Sequence, residues 1–170
     1  MVTTISPAWA VAATVPDPEI PVLTIADLGI LREVQESEGR VTVSLTPTYS
    51  GCPAMDAIRQ DVELALTAAG YDDVEVRFTL APAWTTAWMS DEGRRKLQEF
   101  GIAPPLSVDA GAPRRGPVPV ALSTRRPPTV PCPHCGSIDT REVSRFSAAP
   151  CRALYACRAC LEPFDHFKDH

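Results

Sequence analysis

Two pairs of cysteines near the end of the chain constrain its fold more than any other feature. Cys132 and Cys135 form one Cys-x-x-Cys pair, Cys157 and Cys160 form the other, and twenty-one residues separate the pairs. Two such pairs on tight turns supply four thiolates, which is the tetrahedral shell that zinc takes in closed structural sites. The alternative of two disulfides is disfavoured, because the N-terminal residues do not look secretory and cytosolic thiols stay reduced. The sequence therefore predicts a small β zinc ribbon over residues 131–170.

A proline-rich stretch precedes this ribbon. Eight prolines lie between residues 102 and 131, and such segments act as semi-rigid spacers because they lack donors for regular pairing. We therefore predict three parts: a compact domain over residues 1–101, a Pro- and Arg-rich linker over 102–130, and the ribbon over 131–170. A chain of 170 residues is long enough for one ordinary core and one small metal-stabilised module.

The first 101 residues have the apolar periodicity of an α+β domain. The predicted elements, in chain order, are strands over 31–34 and 41–45, a helix over 53–69, a strand over 74–80 and a helix over 91–100. The first two strands form a hairpin, and a helical crossover places the third strand beside the second in parallel. The expected fold is a two-layer α/β domain with a small mixed sheet, and Met55 on the apolar stripe of the long helix belongs to its core.

The charge distribution argues against nucleic-acid binding. Residues 1–100 carry 15 acidic and 7 basic residues, and an acidic body repels the phosphate backbone that a sequence-independent binder must contact. The apolar N-terminal stretch is too short and too interrupted by proline to span a membrane. We therefore expect a cytoplasmic protein that binds neither nucleic acid nor membranes.

Cys52 is the candidate functional thiol of the first domain. It follows a predicted strand in Thr-Pro-Thr-Tyr-Ser-Gly-Cys-Pro and is expected at the cap of the long helix, with Pro53 in the first helical position. Unpaired N–H groups and the positive end of the helix dipole lower the pKa of a thiol there, which favours the thiolate that binds metal or attacks. The alternative, a small buried residue at a tight turn, fits the local pattern equally well.

Two acidic residues are held between prolines ahead of the first strand. Asp17 and Glu19 occur in Asp-Pro-Glu-Ile-Pro, which is a stiff arrangement. Read functionally, they supply oxygen ligands or handle protons near Cys52. Read structurally, Asp17 caps a turn and Glu19 lies in solvent, and the local sequence favours this second reading.

Several other residues carry chemistry but receive no site role from the sequence. Cys151 lies six residues before Cys157, outside the pair spacing, so it is either a small residue of the ribbon sheet, which we favour, or a spare thiol that can replace a lost ligand. The histidines are expected to be bystanders, the last two of them at a mobile chain end, and the tryptophans either pack in the core or line a partner-binding surface. These residues are His134, His166, His170, Trp84 and Trp88.

Four segments of the first domain resemble the iron–sulfur assembly domain family, which includes SufT-like proteins. They are Asp-Pro-Glu-Ile-Pro at 17–21, Asp-Leu-Gly-Ile at 27–30, Thr-Pro-Thr-Tyr-Ser-Gly-Cys-Pro-Ala-Met-Asp at 46–56 and Trp-Thr-Thr-Ala-Trp-Met-Ser at 84–90. With the ribbon and Phe-Asp-His-Phe-Lys at 164–168 included, the chain resembles the PaaD (or PaaJ) family of small subunits encoded with phenylacetyl-CoA epoxidase.

This resemblance implies a role in maturation. Members of the family deliver or help to assemble iron–sulfur clusters, and a PaaD-like protein would serve the multicomponent epoxidase of aerobic phenylacetate catabolism. The family's functional cysteine corresponds to Cys52, and its Asp-Pro-Glu motif corresponds to Asp17 and Glu19, so these residues are expected to ligate iron or a cluster transiently. The implied partners are the oxygenase and reductase components, and the oligomeric state is left open.

Two other functions remain as alternatives. The chain is either a non-catalytic subunit that stays in the oxygenase complex, or an enzyme that uses Cys52 as a nucleophile. The enzyme is disfavoured because no general base, oxyanion motif or glycine-rich phosphate loop accompanies the thiol. We therefore expect an accessory factor with structural zinc in the ribbon and transient iron or iron–sulfur cluster at Cys52.

Overall fold

The computed structural model describes residues 6–37, 39–49, 51–106 and 129–169, which form two small sheets with helices around the first. The elements are, in chain order, α1 (Pro7–Ala12), β1 (Leu31–Ser37), β2 (Arg40–Leu45), α2 (Ala54–Ala68), β3 (Asp73–Phe78), α3 (Asp91–Glu99), β4 (Ile102–Ala103), β5 (Thr140–Ser144), β6 (Arg152–Cys157) and β7 (Pro163–Phe167). The predicted fold class, an α+β domain followed by a small β ribbon, is confirmed. Within the described segments, every helix is too short or too polar to reach across a membrane.

The first sheet has the order β1-β2-β3 and contains both pairing directions. β1 and β2 are antiparallel, with Val34 opposite Val43, and β3 runs parallel to β2, with Val76 beside Val43. The predicted hairpin and parallel third strand are therefore present. β1 continues to Ser37, beyond its predicted end. The sequence does not predict these last residues because they are polar and exposed and show no apolar alternation.

α2 packs on the apolar face of this sheet. Alternate residues of β2 and one stripe of α2 make up the centre of the core: Val41, Val43, Leu45, Met55, Ile58, Val62 and Leu66. Met55 is therefore a core residue, as expected. Full burial of side chains of this kind contributes about 1.5–3 kcal/mol each to folding, so this helix and sheet form the stable base from which the neighbouring loops project.

The sequence does not predict α1, because six residues are too few to show a helical period. Ser6 caps this helix by accepting a hydrogen bond from Trp9 N at 3.1 Å, and Pro7 occupies the start of the helix. Ala8 and Ala12 are fully buried, so α1 is part of the packed domain.

The second sheet has the order β4-β7-β6-β5 and combines residues from both sides of the proline-rich stretch. β4, a two-residue strand too short to carry a sequence pattern, pairs in parallel with β7. Ile102 and Val130, at the two ends of the predicted linker 102–130, are 4% and 1% exposed. Packed structure thus extends into both ends of that range, while residues 107–128 lie outside the described part of the chain.

The ribbon packs against the first domain. Phe167 at the end of β7 is buried, and its ring lies 6.1 Å from the ring of Trp84. The Trp84 indole N–H in turn donates to Leu28 O at 2.9 Å. Ala149 and Cys151, which precede β6, are buried in the core cluster of the first domain. The end of β7 and the start of β6 are therefore held on the first domain by a shared core.

Asp27 ties the loop before β1 to α3. Its carboxylate accepts a hydrogen bond from Ser90 Oγ at 3.1 Å and pairs with Lys96 Nζ at 2.7 Å. Two residues later, a Cβ on Gly29 would lie 2.5 Å from Trp88 O, and the φ of 71° is itself in the left-handed region, so this position requires glycine. The Asp-Leu-Gly segment therefore has a structural role.

Candidate functional site

The four cysteines of the two pairs converge in space. Cys132 Sγ lies 3.7 Å from Cys160 Sγ, Cys135 Sγ lies 3.6 Å from Cys157 Sγ, and all four sulfurs are within 4.8 Å of one another. A tetrahedral zinc ion with sulfurs at about 2.3 Å separates those sulfurs by about 3.8 Å. The four residues, called the quartet below, therefore have the donor type and the spacing that structural zinc requires.

Each pair of the quartet lies on a turn that ends in the left-handed backbone region. In the first turn, Gly136 N donates to Cys132 O at 2.9 Å, and Gly136 has a φ of 72°. In the second turn, Leu161 follows Cys160 at the equivalent position with a φ of 66°. A leucine is strained in this region, where glycine is not. The second turn therefore keeps Leu161 in a backbone conformation that leucine disfavours.

Cys52 lies on the turn between β2 and α2. Its N–H donates to Tyr49 O at 3.4 Å, and its carbonyl oxygen accepts from Met55 N at 3.3 Å. α2 begins at Ala54 with Pro53 at the capping position, one residue later than predicted, so Cys52 precedes the cap instead of occupying it. The side chain is half-buried and packs against the core, so its thiol is neither fully enclosed nor fully exposed.

The pKa of the Cys52 thiol is raised, which corrects the expectation that the helix terminus lowers it. Burial is the largest cause, the N–H of Ala54 opposes it, and the negative charges of Glu19 and Asp17 raise the pKa further. The helix end is visible in the local sequence, but the two acids lie more than thirty residues away along the chain. The helix terminus alone therefore does not favour the thiolate form of Cys52.

Asp17 and Glu19 lie within electrostatic reach of Cys52 but have different roles in the fold. Asp17 is buried, and its Oδ1 accepts hydrogen bonds from Glu19 N at 2.9 Å and Ile20 N at 2.8 Å. It caps the turn, as the structural alternative proposed. Glu19 is half-buried, not solvated, and its pKa is raised by burial and by the charge of Asp17. Asp17 thus holds the turn that carries Glu19.

The ribbon brings a second thiol to this region. Cys151 Sγ lies 3.9 Å from Glu19 Oε2, and Cys151 is 5% exposed. The pKa of Cys151 is raised to about 12, first by burial and then by the charge of Glu19. The sequence favours a packing role for Cys151, and its place outside the pair spacing is the only sequence signal that sets it apart from the quartet.

Arg152 supplies the positive charge beside these groups. Its Nη1 donates to Asp165 Oδ2 at 2.8 Å, which fixes the guanidinium on the ribbon. After burial has raised the pKa values of Glu19 and Cys151, the Arg152 charge lowers them in part. The region therefore combines two thiols and two carboxyl groups with one guanidinium, and these groups come from both parts of the molecule.

Tyr49 adjoins the same region. Its Oη is buried and interacts with the Cys52 thiol. The pKa of this hydroxyl is raised, first by burial and also by the charges that Cys52, Glu19 and Cys151 carry when ionised. A cleft of about 410 Å³ lies beside it, lined by Thr46, Pro47, Thr48, Tyr49, Leu80, Ala83 and Trp84. Tyr49 therefore joins the thiol region to a surface cleft.

The described histidines are not part of the cysteine cluster. His134 is exposed, and neither it nor His166 belongs to the cluster of ligand atoms that could hold a metal ion. His166 is 6% exposed within β7, and β7 is paired on both sides, with β4 and with β6. The expectation that this residue lies at a mobile chain end is therefore wrong. His170 lies outside the described residues. A larger cleft on the ribbon, of about 520 Å³, includes His166 but no cysteine.

The two tryptophans have different environments. Trp84 is 6% exposed in the core between the two parts of the molecule, which agrees with the packing alternative. Trp88 is half-buried, and the Arg32 guanidinium carbon lies 3.5 Å from its ring centre. A cation over an aromatic face is attracted by the ring quadrupole, so Trp88 stabilises the surface around the Gly29 turn.

Family comparisons define the class of protein that this fold and these cysteines represent. Residues 9–78 match the family described as "Iron-sulfur cluster assembly protein", and residues 117–168 match the "PaaD zinc beta ribbon domain". The first match contains Asp17, Glu19 and Cys52, and the second contains the quartet and Cys151. The chain is thus an iron–sulfur cluster assembly domain followed by a zinc ribbon.

A relative aligned along nearly the whole chain narrows this class to one family. A putative 1,2-phenylacetyl-CoA epoxidase subunit from Escherichia coli (strain K12) is 45% identical over 161 residues, which are 94% of this chain and 90% of that protein. The chain belongs to the PaaD family of 1,2-phenylacetyl-CoA epoxidase subunits. "Fe-S protein maturation auxiliary factor" from Porphyromonas gingivalis is 40% identical over 49% of this chain and 81% of that protein. A solved domain of unknown function from Bacillus anthracis is 28% identical, covers 53% of this chain and 87% of its own, and has a TM-score of 0.49.

Proposed function

We propose that this protein is a maturation factor that supplies iron or an iron–sulfur cluster to the phenylacetyl-CoA epoxidase, with Cys52 as the transient ligand. The observation that carries the proposal is a half-buried thiol beside two acidic residues, in a domain of the iron–sulfur cluster assembly family. The names of the Escherichia coli and Porphyromonas gingivalis relatives support the epoxidase and the maturation role respectively. The clients are the oxygenase and reductase components, and the protein acts as an accessory factor, not as an enzyme.

Cys52 has the properties of a ligand that must release the iron or cluster it binds. A carrier needs a donor with affinity for iron and an open side from which the client can take the metal. A half-buried thiol offers both, whereas a shell of four cysteines closes around its ion and leaves no position for an incoming ligand. The two acidic residues add a negative field that attracts a cation to this thiol.

Glu19 and Asp17 have separate tasks in this proposal. Glu19 supplies an oxygen ligand, because its carboxylate is half-buried, lies 3.9 Å from the Cys151 thiol and is within electrostatic reach of Cys52. Asp17 is a positioning residue, since its carboxylate is occupied by two backbone N–H groups of the turn that carries Glu19. Loss of Asp17 would therefore act on iron binding through Glu19.

The quartet is proposed to hold a structural zinc ion. The sulfur spacing and the match to a zinc ribbon family support this assignment. Bound zinc supplies folding free energy to the ribbon, because a preformed site does not exist in the unfolded chain. In this role the ion stays with the protein while iron passes through the Cys52 region.

Cys52→Ser tests the transfer role directly. Co-expressed with the epoxidase components, the variant should fold and keep its zinc. The iron and cluster content of the purified clients should fall by about tenfold or more, because loss of even an outer-shell partner of a metal ligand costs about 10–100-fold in affinity. Ala57→Ser is the matched control, because Ala57 is exposed early in α2 and bears no ligand atom; it should leave client loading unchanged. Full client loading with Cys52→Ser would contradict the proposal.

A second function is a resident, non-catalytic subunit of the epoxidase complex. The name of the Escherichia coli relative, which is called a subunit, supports this alternative. Purification of the complex separates the two functions. A fixed one-to-one ratio of this chain to the oxygenase, with client metal content unaffected by Cys52→Ser, supports the resident role, whereas sub-stoichiometric recovery with impaired loading supports maturation.

A further inference from the structure

We infer that Cys151 is a second thiol ligand of the iron-handling site, which is therefore built from both parts of the molecule: Cys52 and Glu19 from the first domain and Cys151 from the ribbon. This inference rests on the proposed function and adds to it a ligand and a reason for the attached ribbon. The three residues are called the open site below.

The contact between Cys151 and Glu19 carries the inference. Cys151 Sγ and Glu19 Oε2 are 3.9 Å apart, although 132 residues separate them in the chain. Glu19 is also within electrostatic reach of Cys52, so one carboxylate contacts the Cys151 thiol and acts on the Cys52 thiol through its charge. Cys151 and Glu19 at this separation can bind one cation after small side-chain rotations, because metal–ligand bonds of about 2.0–2.3 Å bring neighbouring donors closer together than 3.9 Å. Among the described residues, only the quartet has its donor atoms within 4.8 Å of one another, so Cys52 must move toward the other two donors when the cation binds.

The fold fixes the position of Cys151 from several sides. Its carbonyl oxygen accepts from Lys168 N at 3.0 Å, and the next residue, Arg152, donates its N–H to Ala149 O at 3.0 Å. Phe167, the residue before Lys168, is buried against Trp84 of the first domain. The backbone of Cys151 is thus fixed where the ribbon meets the first domain, and the thiol is presented by packing and backbone hydrogen bonds together.

A buried tyrosine favours the thiolate form of Cys52, the other thiol of the open site. Tyr49 Oη is buried, and the Cys52 thiol is the side chain that interacts with it. Tyr49 lies close to Cys52 in the chain and on the same turn. A thiolate at Cys52 would accept a hydrogen bond from this hydroxyl.

The donor set fits a metal with affinity for sulfur. Two thiolates and one carboxylate prefer ferrous iron or zinc to magnesium or calcium, and three protein ligands leave positions for a client ligand or a cluster sulfide. Binding of Fe²⁺ forms two iron–sulfur bonds and releases the two thiol protons to solvent, with no change in oxidation state. Arg152, held by Asp165, offsets part of the negative charge of the loaded site.

Titration with Co²⁺ tests the inference on the anaerobic, zinc-loaded protein. Co²⁺ reports thiolate ligands by their charge-transfer absorption and binds nitrogen and sulfur sites less tightly than zinc, so it leaves the quartet filled. The wild type should bind one equivalent of Co²⁺ beyond its zinc, in competition with Fe²⁺. Cys151→Ala and Cys52→Ser should each remove about half of the absorption and weaken binding by about tenfold or more.

Ala149→Ser is the matched control, because Ala149 is buried at the same junction but offers no thiol. It should bind Co²⁺ as the wild type does. Cys151→Ser, which keeps nearly the size of the side chain, replaces Cys151→Ala if thermal unfolding shows that the latter does not fold. Unchanged affinity and absorption in the folded Cys151 variant overturn this inference and leave the role of Cys52 intact. Unchanged binding in Cys52→Ser as well, or no Co²⁺ bound beyond zinc in the wild type, overturns the proposed function too.

Discussion

The quartet and the open site use the same donor atom in opposite ways. The quartet takes all four sulfurs from two short turns of one module, and its sulfurs already have the spacing of a filled zinc site. The open site draws its donors from three distant segments, mixes sulfur with oxygen, and includes two half-buried residues, Cys52 and Glu19, that the solvent can reach. A local set of identical donors favours retention of the metal, and a composite set with an open side favours exchange.

The two sites also depend on each other unequally. Cys151 reaches Glu19 only because the ribbon is folded and packed against Trp84 through Phe167. The open site therefore requires the quartet, whereas no ligand of the quartet comes from the first domain. This asymmetry gives the zinc ion an indirect role in handling iron, and mutations should affect the two sites in a fixed order.

Cys132→Ser is expected to have the largest effect, because it destroys both sites. Structural zinc contributes about 10–16 kcal/mol of binding free energy in small zinc modules at neutral pH, so the ribbon should lose zinc and unfold. Cys151 then leaves the open site, and the additional Co²⁺ equivalent should disappear as well. Zinc content, hydrogen exchange of β5–β7 and Co²⁺ titration measure the three losses. An ordered ribbon without zinc, or intact Co²⁺ binding, would contradict the proposed dependence of the open site on the quartet.

Phe167→Ala should separate the two sites. Truncation of a buried phenylalanine costs about 3–5 kcal/mol, and here it loosens the junction with Trp84 while leaving every ligand in place. We expect zinc to be retained and Co²⁺ binding at the open site to weaken, as measured on one sample by metal analysis and titration. Phe167→Leu, which fills more of the space, should show the same pattern to a smaller degree. Equal loss of both metals would argue against separate sites.

Leu161→Gly should have the smallest effect and leave both sites intact. Leu161 is 80% exposed with a φ of 66°, so replacement by glycine removes backbone strain and little apolar burial. The expected gain in the free energy of unfolding is at most about 1 kcal/mol. The reciprocal change, Gly136→Ala, places a Cβ at a φ of 72° and should cost a similar amount. Thermal unfolding of the zinc-loaded proteins measures both, and a destabilised Leu161→Gly would show that the leucine has a packing role.

The sequence is sufficient where the determinants are close together in the chain. The quartet follows from spacing alone, since two Cys-x-x-Cys turns each encode their own geometry. The hairpin, the long helix and the parallel third strand follow from alternation in β2 and from the period of α2. Elements with too few residues to show an apolar period, such as α1 and β4, cannot be predicted from such patterns.

The sequence is insufficient where distant segments meet. The pKa of Cys52 is raised because burial and two acidic residues outweigh the effect of the helix terminus. The sequence around Cys52 does not predict that those acidic residues lie nearby in the fold. The contact of Cys151 with Glu19 depends on how β7 packs on Trp84, which no local pattern encodes. The family resemblance points to Cys52, Asp17 and Glu19, but the second thiol requires the tertiary structure.

Retention of the two metals under one chelator challenge tests the central claim most directly. Anaerobic protein that carries zinc in the quartet and one equivalent of Fe²⁺ is mixed with a competing chelator, and the protein-bound content of each metal is followed over time. The account predicts rapid loss of iron with zinc retained, and less bound iron but full zinc in Cys52→Ser. Iron that stays as long as zinc, or iron bound equally by Cys52→Ser, would contradict it.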